Sequence, residues 1–269
     1  MIGAIIGDMA GCRFERHAHQ PGLDPLDFPL FSERTSFTDD TVLSFAVSEA
    51  LMESKGDAQR MRDACSRRFK AFACRYPRAG YGRRFREWAF SKDTTPFGSF
   101  GNGSAMRVSP VGWSFGTLEE TERMARASAE PTHNHPEGVK GACSVAAAIF
   151  LARQGQCPEA IRDHIQRAYG YDLSQHIPEI GNTGFDSTCQ GSVPQAIVCA
   201  LETASVEDAV RSAILLRGDA DTQGAIAGSI AEALWGVPED LKNEAEARLD
   251  GYLRDCLQRW RSWLAGRRA

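Results

Sequence analysis

The chain has 269 residues, of which 42% are hydrophobic and 25% are charged. This balance excludes a wholly disordered chain, and no apolar run approaches the roughly 18 consecutive positions that a membrane-spanning helix needs. The 31 Lys and Arg residues against 35 Asp and Glu give a net charge of −4, which as an average weakly opposes binding to nucleic acid or to an anionic membrane. We therefore expect a soluble globular protein.

The cysteines and the first residues indicate a compartment. Eight cysteines are scattered along the chain without a C-x-x-C pair, far below the density of disulfide-linked secreted domains. The first residues lack the basic start, long apolar stretch and small-residue cleavage site of a secretory signal. We expect a cytoplasmic monomer with reduced thiols and no membrane partner.

Hydrophobic residues recur at helical spacing along most of the chain, and no segment alternates like a strand for long. The clearest case is 41–55, where Leu43, Val47 and Leu51 share one stripe and Gly56 follows as a stop. The same spacing predicts helices over 58–72, 119–129, 138–153, 158–168, 193–204, 206–216, 222–235 and 240–264.

The segments 17–37, 89–118 and 170–192 are rich in Gly, Pro, Ser and Asn and are too long for plain turns. Long loops of this kind usually carry function. No repeat and no Gly/Ser or Pro linker divides the chain. The sequence therefore predicts one all-α domain over 1–269, a multi-helix bundle with long functional loops, in which 240–269 is the C-terminal helix.

Two aspartate clusters lie where predicted helices begin. Thr38-Asp39-Asp40-Thr41 precedes the helix over 41–55, and Gly218-Asp219-Ala220-Asp221-Thr222 opens a helix of small residues that we expect to be central. One interpretation is that the acids only complement the helix dipole, an effect of roughly 0.3–1 kcal/mol each. The other is a metal site, because oxygen ligands without His or Cys favour Mg²⁺, Mn²⁺ or Ca²⁺ over zinc.

Five motifs stand in order along the chain: Gly3-x-x-x-Gly7-Asp8-x-x-Gly11-x-x-Phe14-Glu15, Phe37-Thr38-Asp39-Asp40-Thr41, Gly101-Asn102-Gly103-Ser104-Ala105-Met106-Arg107, Thr132-His133 and Gly218-Asp219-x-Asp221-Thr222-x-x-Ala225-Ile226-x-Gly228. Together they resemble the ADP-ribosylglycohydrolase family, which includes the dinitrogenase-reductase-activating glycohydrolases. Arg217 departs from the pattern, since many relatives have a second glycine there.

The resemblance implies an all-α orthogonal bundle that holds two Mg²⁺ ions, or Mn²⁺ in their place, and hydrolyses the N- or O-glycosidic bond of ADP-ribose. It implies as metal ligands Thr38, Asp39, Asp40, Asp219, Asp221 and Thr222. Glu15 matches a glutamate beside the metals that positions water or gates the cleft. Residues implied along the ribose, the diphosphate and the rest of the cleft are Gly101, Asn102, Gly103, Ser104, Met106, Arg107 and His133.

We therefore predict an enzyme that releases ADP-ribose from an acceptor, with Glu15, Asp40 and Asp221 as catalytic residues. The acceptor is a protein side chain, a nucleic acid or a small molecule, and the sequence does not choose among them. Two other hypotheses stay open: a non-catalytic ADP-ribose-binding or immunity-type protein, and an all-α Mg²⁺-dependent isoprenoid diphosphate enzyme, which also grips a diphosphate with Asp-rich helices.

A strongly basic segment covers residues 60–86, which contain ten Arg or Lys residues and a single acid, Asp63. One interpretation is a solvated helix face balanced by acids elsewhere. The other is guidance of an anionic substrate, either the diphosphate of ADP-ribose or a nucleic acid that carries ADP-ribose. The sequence leaves both interpretations open.

Overall fold

The computed structural model describes residues 1–14, 28–33 and 35–268. These residues form helices and no strand, which confirms the predicted all-α fold. None of the described helices combines the length and the apolar character needed to cross a bilayer. The helices are α1 (Ile2–Gly11), α2 (Asp39–Ser54), α3 (Ala58–Arg75), α4 (Arg83–Ala89), α5 (Gly103–Met106), α6 (Ser109–Ser114), α7 (Leu118–Ala129), α8 (Pro136–Arg153), α9 (Pro158–Tyr169), α10 (Ile177–Ile180), α11 (Cys189–Leu201), α12 (Val206–Leu215), α13 (Ala220–Trp235), α14 (Glu239–Ala247) and α15 (Gly251–Arg268).

The predicted helices agree with the observed ones except at the C-terminal end of the chain. The single helix predicted over 240–264 is wrong: it is divided into α14 and α15, because Asp250 begins a new helix by accepting the backbone N–H of Leu253 at 2.9 Å. Two further helices, α1 and the short α4, were not predicted. All ten residues of α1 are buried, so the helix has no polar face to create an amphipathic pattern.

The predicted loops contain more regular structure than the sequence indicated. Within 89–118 the chain forms the short helices α5 and α6, and within 170–192 it forms α10. These pieces are too short for periodicity to reveal them. Most of the third predicted loop, 17–37, lies outside the described residues. Among these short helices, α5 is important because it contains part of the glycine-rich segment 101–107 and lies near the centre of the molecule.

Helix α13 lies at the centre of the bundle, as its small residues predicted. Its residues 220–231 are all buried, and it contacts α1, α12, α11 and α8. The closest of these neighbours is α1, because a methyl group added at Gly3 or Gly7 would overlap the backbone of Gly228 or Gly224. The glycines on both helices therefore allow two backbones to meet, and this contact fixes where the acidic residues of α1 and α13 lie.

Candidate active site and metal centre

Asp8, near the end of α1, holds the N-terminus of α2. Its carboxylate accepts hydrogen bonds from the backbone N–H of Thr38 at 2.9 Å, from the hydroxyl of Thr38 at 2.6 Å and from the backbone N–H of Thr41 at 3.1 Å. The carboxylate is fully buried, so these donors replace the water that its charge would otherwise need. The first turn of α2 is therefore positioned by a different helix.

Three aspartates from three helices converge beside this helix start. One carboxylate oxygen from each of Asp8, Asp40 and Asp221 lies within 4.8 Å of the other two, and all three side chains are buried. Asp40 comes from the first turn of α2 and Asp221 from the first turn of α13. The contact between α1 and α13 brings Asp8 to Asp221, because Gly11 lies against Ala220 and Asp221.

The environment of Asp40 suits a bound cation. Burial raises the pKa of this carboxyl well above its ordinary value, and the neighbouring charges of Asp221 and Asp8 raise it further. Its Oδ1 is buried and has no hydrogen-bond partner in the part of the chain that the structure describes. A divalent cation among these oxygens would satisfy that atom and offset the repulsion, so the residues present fit a hard metal ion.

The second aspartate cluster is joined to the glycine-rich segment. Asn102 donates through Nδ2 to Asp219 at 2.8 Å and to the hydroxyl of Ser192 at 3.1 Å. The Thr222 hydroxyl lies 3.7 Å from the sulfur of Met106. Two side chains of the 101–107 segment thus contact the start of α13, and the predicted metal ligands and substrate residues meet in one place.

A cleft of about 410 Å³ opens above these groups. All six predicted metal ligands line it: Thr38, Asp39, Asp40, Asp219, Asp221 and Thr222. Six of the seven predicted substrate residues also line it: Gly101, Asn102, Gly103, Met106, Arg107 and His133. The remaining one, Ser104, is buried below the cleft and donates its hydroxyl hydrogen bond to the carbonyl of Gly138 at 2.6 Å.

The glycine-rich segment is held by the loop that follows α10. Gly101 pairs with Thr188 in an isolated antiparallel bridge, and the backbone N–H of Asn102 donates to the Ser187 carbonyl at 2.8 Å. The glycine at 103 gives room to the ring of His133, since a Cβ there would lie 3.2 Å from its Nε2. The segment is therefore a fixed part of the cleft wall.

His133 is buried beneath that wall and is joined to a buried arginine. Its Nδ1 lies 2.7 Å from the hydroxyl of Thr132, which accepts from Nη2 of Arg107 at 2.8 Å. Burial lowers the pKa of His133 well below its ordinary value, and the charges of Arg107 and Arg84 lower it further. Burial also lowers the pKa of Arg107, to about 10, so this side chain stays cationic at neutral pH while the imidazole is neutral.

Some residues of the cleft and of the acidic cluster were not predicted as site residues, and one predicted site residue lies outside the described part of the chain. Asp8 stood in a recognised motif, but only the fold shows that it meets Asp40. Phe185 and Ser187 also line the cleft and come from a loop without a motif. Glu15, predicted as catalytic, lies outside the described residues.

The basic segment 60–86 divides into two parts. Arg62 pairs with Glu130, and Arg67 and Arg68 pair with Glu53, so this part is balanced by acids of other helices. Arg83 and Arg84, at the start of α4, are exposed and line the cleft instead. Arg84 also donates to the carbonyl of Phe97, another residue of the cleft lining. The first interpretation therefore fits Arg62, Arg67 and Arg68, while the second stays a prediction for Arg83 and Arg84.

Comparison with known proteins agrees with the geometry. The chain is 27% identical to ADP-ribosylhydrolase ARH3 of Homo sapiens, over 91% of this chain and 88% of that protein. It is 27% identical to ADP-ribosyl-[dinitrogen reductase] glycohydrolase of Rhodospirillum rubrum, over 78% of this chain and 76% of that protein. A solved structure described as an ADP-ribosylglycohydrolase-related protein complex has the same fold, with a TM-score of 0.64 at 24% identity and 96% of each chain covered.

The model of one protein family, described as ADP-ribosylglycohydrolase, matches residues 1–269. The resemblance predicted from the five motifs is thereby confirmed. The chain belongs to the ADP-ribosylglycohydrolase family, whose enzymes hydrolyse linkages of ADP-ribose.

Proposed function

We propose that this glycohydrolase is a Mg²⁺-dependent enzyme that cleaves the glycosidic bond between ADP-ribose and an acceptor, and so reverses ADP-ribosylation. The observation that carries the proposal is the buried, unpartnered Oδ1 of Asp40 among converging carboxylates at the floor of the cleft. The glycine-rich segment 101–107 forms a wall of the same cleft. A cation site and a wall suited to an extended ligand are thus parts of one pocket.

The metal ligands that we propose are Thr38, Asp39, Asp40, Asp219, Asp221 and Thr222, holding two Mg²⁺ ions or Mn²⁺ in their place. When bound, the ions would neutralise the clustered carboxylates and act as Lewis acids toward oxygens of the substrate. Asp8 prepares this site, because it accepts the hydroxyl hydrogen of Thr38 at 2.6 Å. One lone pair of the Thr38 oxygen accepts the backbone N–H of Asp40 at 3.4 Å, and the other remains for a cation.

Cleavage of the glycosidic bond places positive charge on the anomeric carbon of the ribose in an oxocarbenium-like transition state. We propose that Asp40 and Asp221 stabilise this charge, since fixed carboxylates in a site shielded from water act strongly on a developing charge. We propose Glu15 as the group that orients or deprotonates the attacking water. The glycines at 101 and 103 leave the backbone open to the ribose and diphosphate of the ligand.

The exposed Arg83 and Arg84 support guidance of an anionic substrate at the cleft mouth. A modified nucleic acid would gain most from them, because it adds phosphates beyond those of ADP-ribose. We expect release from a modified nucleic acid to fall steeply with salt and to fall in Arg83→Glu, with release from a modified peptide much less affected. Equal effects on both substrates would assign these arginines to the ADP-ribose diphosphate instead.

The test is an ADP-ribose release assay across defined linkages to arginine, serine, thymidine, a terminal phosphate and an O-acetyl group, with and without Mg²⁺. We expect Asp40→Ala and Asp221→Ala to lose activity on every linkage that the wild type cleaves. Asp163→Asn, an exposed acid on α9, is the matched control and keeps full activity. Wild-type rates in Asp40→Ala, with no need for Mg²⁺, would overturn the proposal.

The same assay separates the other hypotheses. Tight Mg²⁺-dependent binding of ADP-ribose without release from any linkage would identify a non-catalytic binding protein. Release of pyrophosphate from an isoprenoid diphosphate would revive the third hypothesis, for which the family membership gives no support. We also propose that the protein is a cytoplasmic monomer and that 1–269 form one domain, which light scattering, fractionation of cells and limited proteolysis test.

A further inference from the structure

A chain of hydrogen bonds runs beneath the cleft and has no role in the function proposed so far. It joins the guanidinium of Arg107 to the hydroxyl of Thr132, and that hydroxyl to the ring of His133. All three side chains are buried, and Thr132 is fully so. In a low-dielectric interior, a buried donor without an acceptor is costly. This cost fixes the direction of each hydrogen bond in the chain.

The direction follows from what each group can donate. A guanidinium has only donors, so the oxygen of Thr132 accepts from Arg107. The hydroxyl hydrogen of Thr132 then needs an acceptor, and among the described residues the atom within reach is Nδ1 of His133, at 2.7 Å. If Nδ1 carried a proton instead, the hydroxyl hydrogen would be buried without an acceptor. The arrangement is satisfied when Nδ1 accepts and is itself unprotonated.

The imidazole is neutral, because it is buried between two arginines. His133 is 5% exposed, and the charged groups that face it are Arg107, beyond the end of α5, and Arg84, on α4. Burial and both cations lower the pKa of His133 well below its ordinary value. A neutral imidazole carries one proton, so an unprotonated Nδ1 leaves that proton on Nε2.

Nε2 faces the glycine-rich wall of the cleft. A Cβ at Gly103 would lie 3.2 Å from Nε2, and one at Gly101 would lie 3.8 Å from it. No hydrogen-bond partner of Nε2 occurs among residues 1–14, 28–33 and 35–268, and His133 is part of the cleft lining. The N–H is therefore presented to a ligand that lies along Gly101 and Gly103.

We propose that Arg107 and Thr132 are positioning residues that hold His133 as the neutral Nε2–H tautomer, which donates a hydrogen bond to an acceptor oxygen of the substrate. Arg107 acts through Thr132 and His133 and not on the substrate itself. His133 is a hydrogen-bond donor and not a general acid or base, since its ring keeps one proton throughout the reaction. The tautomer is a property of the free protein, whereas its effect on substrate affinity rests on the proposed function.

The first experiment measures the tautomer directly in the free protein labelled with ¹⁵N-histidine. Long-range ¹H–¹⁵N spectra distinguish the two ring nitrogens, and the signals of His133 are those missing from His133→Gln. We expect a protonated Nε2 and a hydrogen-bonded, unprotonated Nδ1, unchanged across about pH 5 to 8. A protonated Nδ1 in the wild type would overturn the proposal, and this result needs no variant of Thr132 or Arg107 to fold.

The second experiment compares Thr132→Ser, which keeps the hydroxyl, with Thr132→Val, which keeps the shape and removes it. In Thr132→Val we expect the Nδ1 signal to lose its hydrogen-bonded shift and KM to rise about tenfold, the effect of one hydrogen bond to the ligand that is no longer aligned, with a smaller change in kcat. Thr132→Ser should match the wild type in both measurements. Loss of activity in Thr132→Val with an unchanged Nδ1 signal would overturn the proposal.

Arg107→Met tests the first link of the chain. Without the guanidinium the hydroxyl of Thr132 is no longer fixed as an acceptor, and one of the two cations that lower the pKa of His133 is removed. We expect the ring to begin to take up a second proton in the acid part of the same pH range.

The outcomes for the two proposals are distinguishable. A Nε2–H tautomer in a protein that cleaves no linkage would refute the proposed function alone. Cleavage by a protein with a protonated Nδ1 would refute this inference alone.

Discussion

The starts of α2 and α13 carry similar aspartate clusters, yet they are held in different ways. At α2, Thr38 is the N-cap, and the carboxylate of Asp8 accepts three hydrogen bonds from Thr38 and Thr41. At α13, Asp219 is in the N-cap position without a side-chain capping bond, and Asn102 donates to it from the glycine-rich segment. One start is braced by a buried carboxylate of another helix, and the other by a loop and by close backbone packing.

This difference shows that the residues which position a motif can lie far from the motif in the sequence. Both clusters look like capped helix starts in the sequence, but the residues that orient them, Asp8 and Asn102, lie elsewhere in the chain. The two clusters also share a third support, which is the contact of α1 with α13. This contact places Asp8 beside Asp40 of one cluster and beside Asp221 of the other.

The largest effect is expected from closing the space between α1 and α13. In Gly7→Ala the added methyl group would overlap the backbone of Gly224, and neither backbone can move aside within a buried pair of helices. We expect a loss of about 3 kcal/mol in the free energy of unfolding, measured by urea denaturation, together with loss of Mg²⁺ binding.

Gly251→Ala is the control for that substitution, because it also adds one methyl group near a helix start and meets no neighbouring atom. Its expected change is within about 0.5 kcal/mol. If Gly7→Ala were as mild as the control, the close approach of the two helices would not be what assembles the acidic floor.

The second prediction compares how much each helix start depends on the residue that holds it. In Asp8→Asn the amide oxygen can still accept the N–H groups of Thr38 and Thr41, but the amide N–H₂ then faces the Thr38 hydroxyl. That hydroxyl oxygen must accept the amide N–H instead of donating, and it loses the lone pair that a cation would use. We expect the efficiency of ADP-ribose release to fall about 10- to 100-fold, as for other groups that orient metal ligands, with weaker Mg²⁺ binding by calorimetry.

The matched change at α13 is Asn102→Ala, which removes the donor to Asp219. This change removes one hydrogen bond to the start of α13 and a second one to Ser192 on α11, whereas Asp8 holds its helix start through three contacts. We therefore expect a loss of about tenfold or less. A larger loss in Asn102→Ala than in Asp8→Asn would reverse the order of importance given to the two supports.

The third effect is a pH dependence of the metal-free protein. The raised pKa of Asp40 means that the native protein keeps a proton that the unfolded chain releases at lower pH. Stability without metal should therefore fall as the pH rises from the ordinary value of 3.8 through the raised pKa of Asp40, and Mg²⁺ should restore it at neutral pH. Thermal melts of wild type and Asp40→Asn, with and without Mg²⁺, measure this.

Asp40→Asn isolates the contribution because every other acid is unchanged. Above the raised pKa, we expect the metal-free variant to be about 1–2 kcal/mol more stable than the wild type while it has no activity. The difference between the two melts should vanish toward low pH, where Asp40 is protonated. A constant difference at all pH values would show that neither burial nor the neighbouring carboxylates raise the pKa of Asp40 in the native state.

Much of the candidate site was readable from the sequence, because helix starts, glycines and acids follow local rules. The helix start beside Thr38-Asp39-Asp40-Thr41 and the central position of α13 needed only neighbouring residues, and the structure confirms both. Asp8 and Thr132 could not be assigned in that way. The hydrogen-bond partners of Asp8 are 30 residues or more away in the sequence. The decisive partner of Thr132 is Arg107, which lies 25 residues earlier.

Two different causes explain the errors in the fold. Helix α1 has no polar face, so its burial on all sides hid the period that reveals an amphipathic helix. The break between α14 and α15 depends on Asp250, which sits in a pattern that reads as one continuous helix. The first error comes from tertiary burial that hides a local signal, whereas the second comes from a local helix cap, Asp250, that the hydrophobic pattern does not reveal.

The smallest effect concerns the turn before α13. Arg217 has a φ of 54°, in the left-handed region that glycine adopts without strain. This conformation costs a residue with a side chain about 1–2 kcal/mol, and the greater flexibility of unfolded glycine offsets part of that cost. We expect Arg217→Gly to raise the free energy of unfolding by about 0.5–1 kcal/mol, measured by urea denaturation.

Lys55, with a φ of 51° at the other end of α2, offers the matched control, because Lys55→Gly relieves the same strain far from the turn. The turn before α13 is also held by its backbone, since Thr183 donates to the carbonyl of Leu216 at 2.9 Å. Asp219 should therefore stay in place in Arg217→Gly, and Mg²⁺ affinity should match that of Lys55→Gly. Weaker Mg²⁺ binding in Arg217→Gly alone would mean that the strained arginine itself fixes the start of α13, which would make this helix start as dependent on one side chain as α2 is on Asp8.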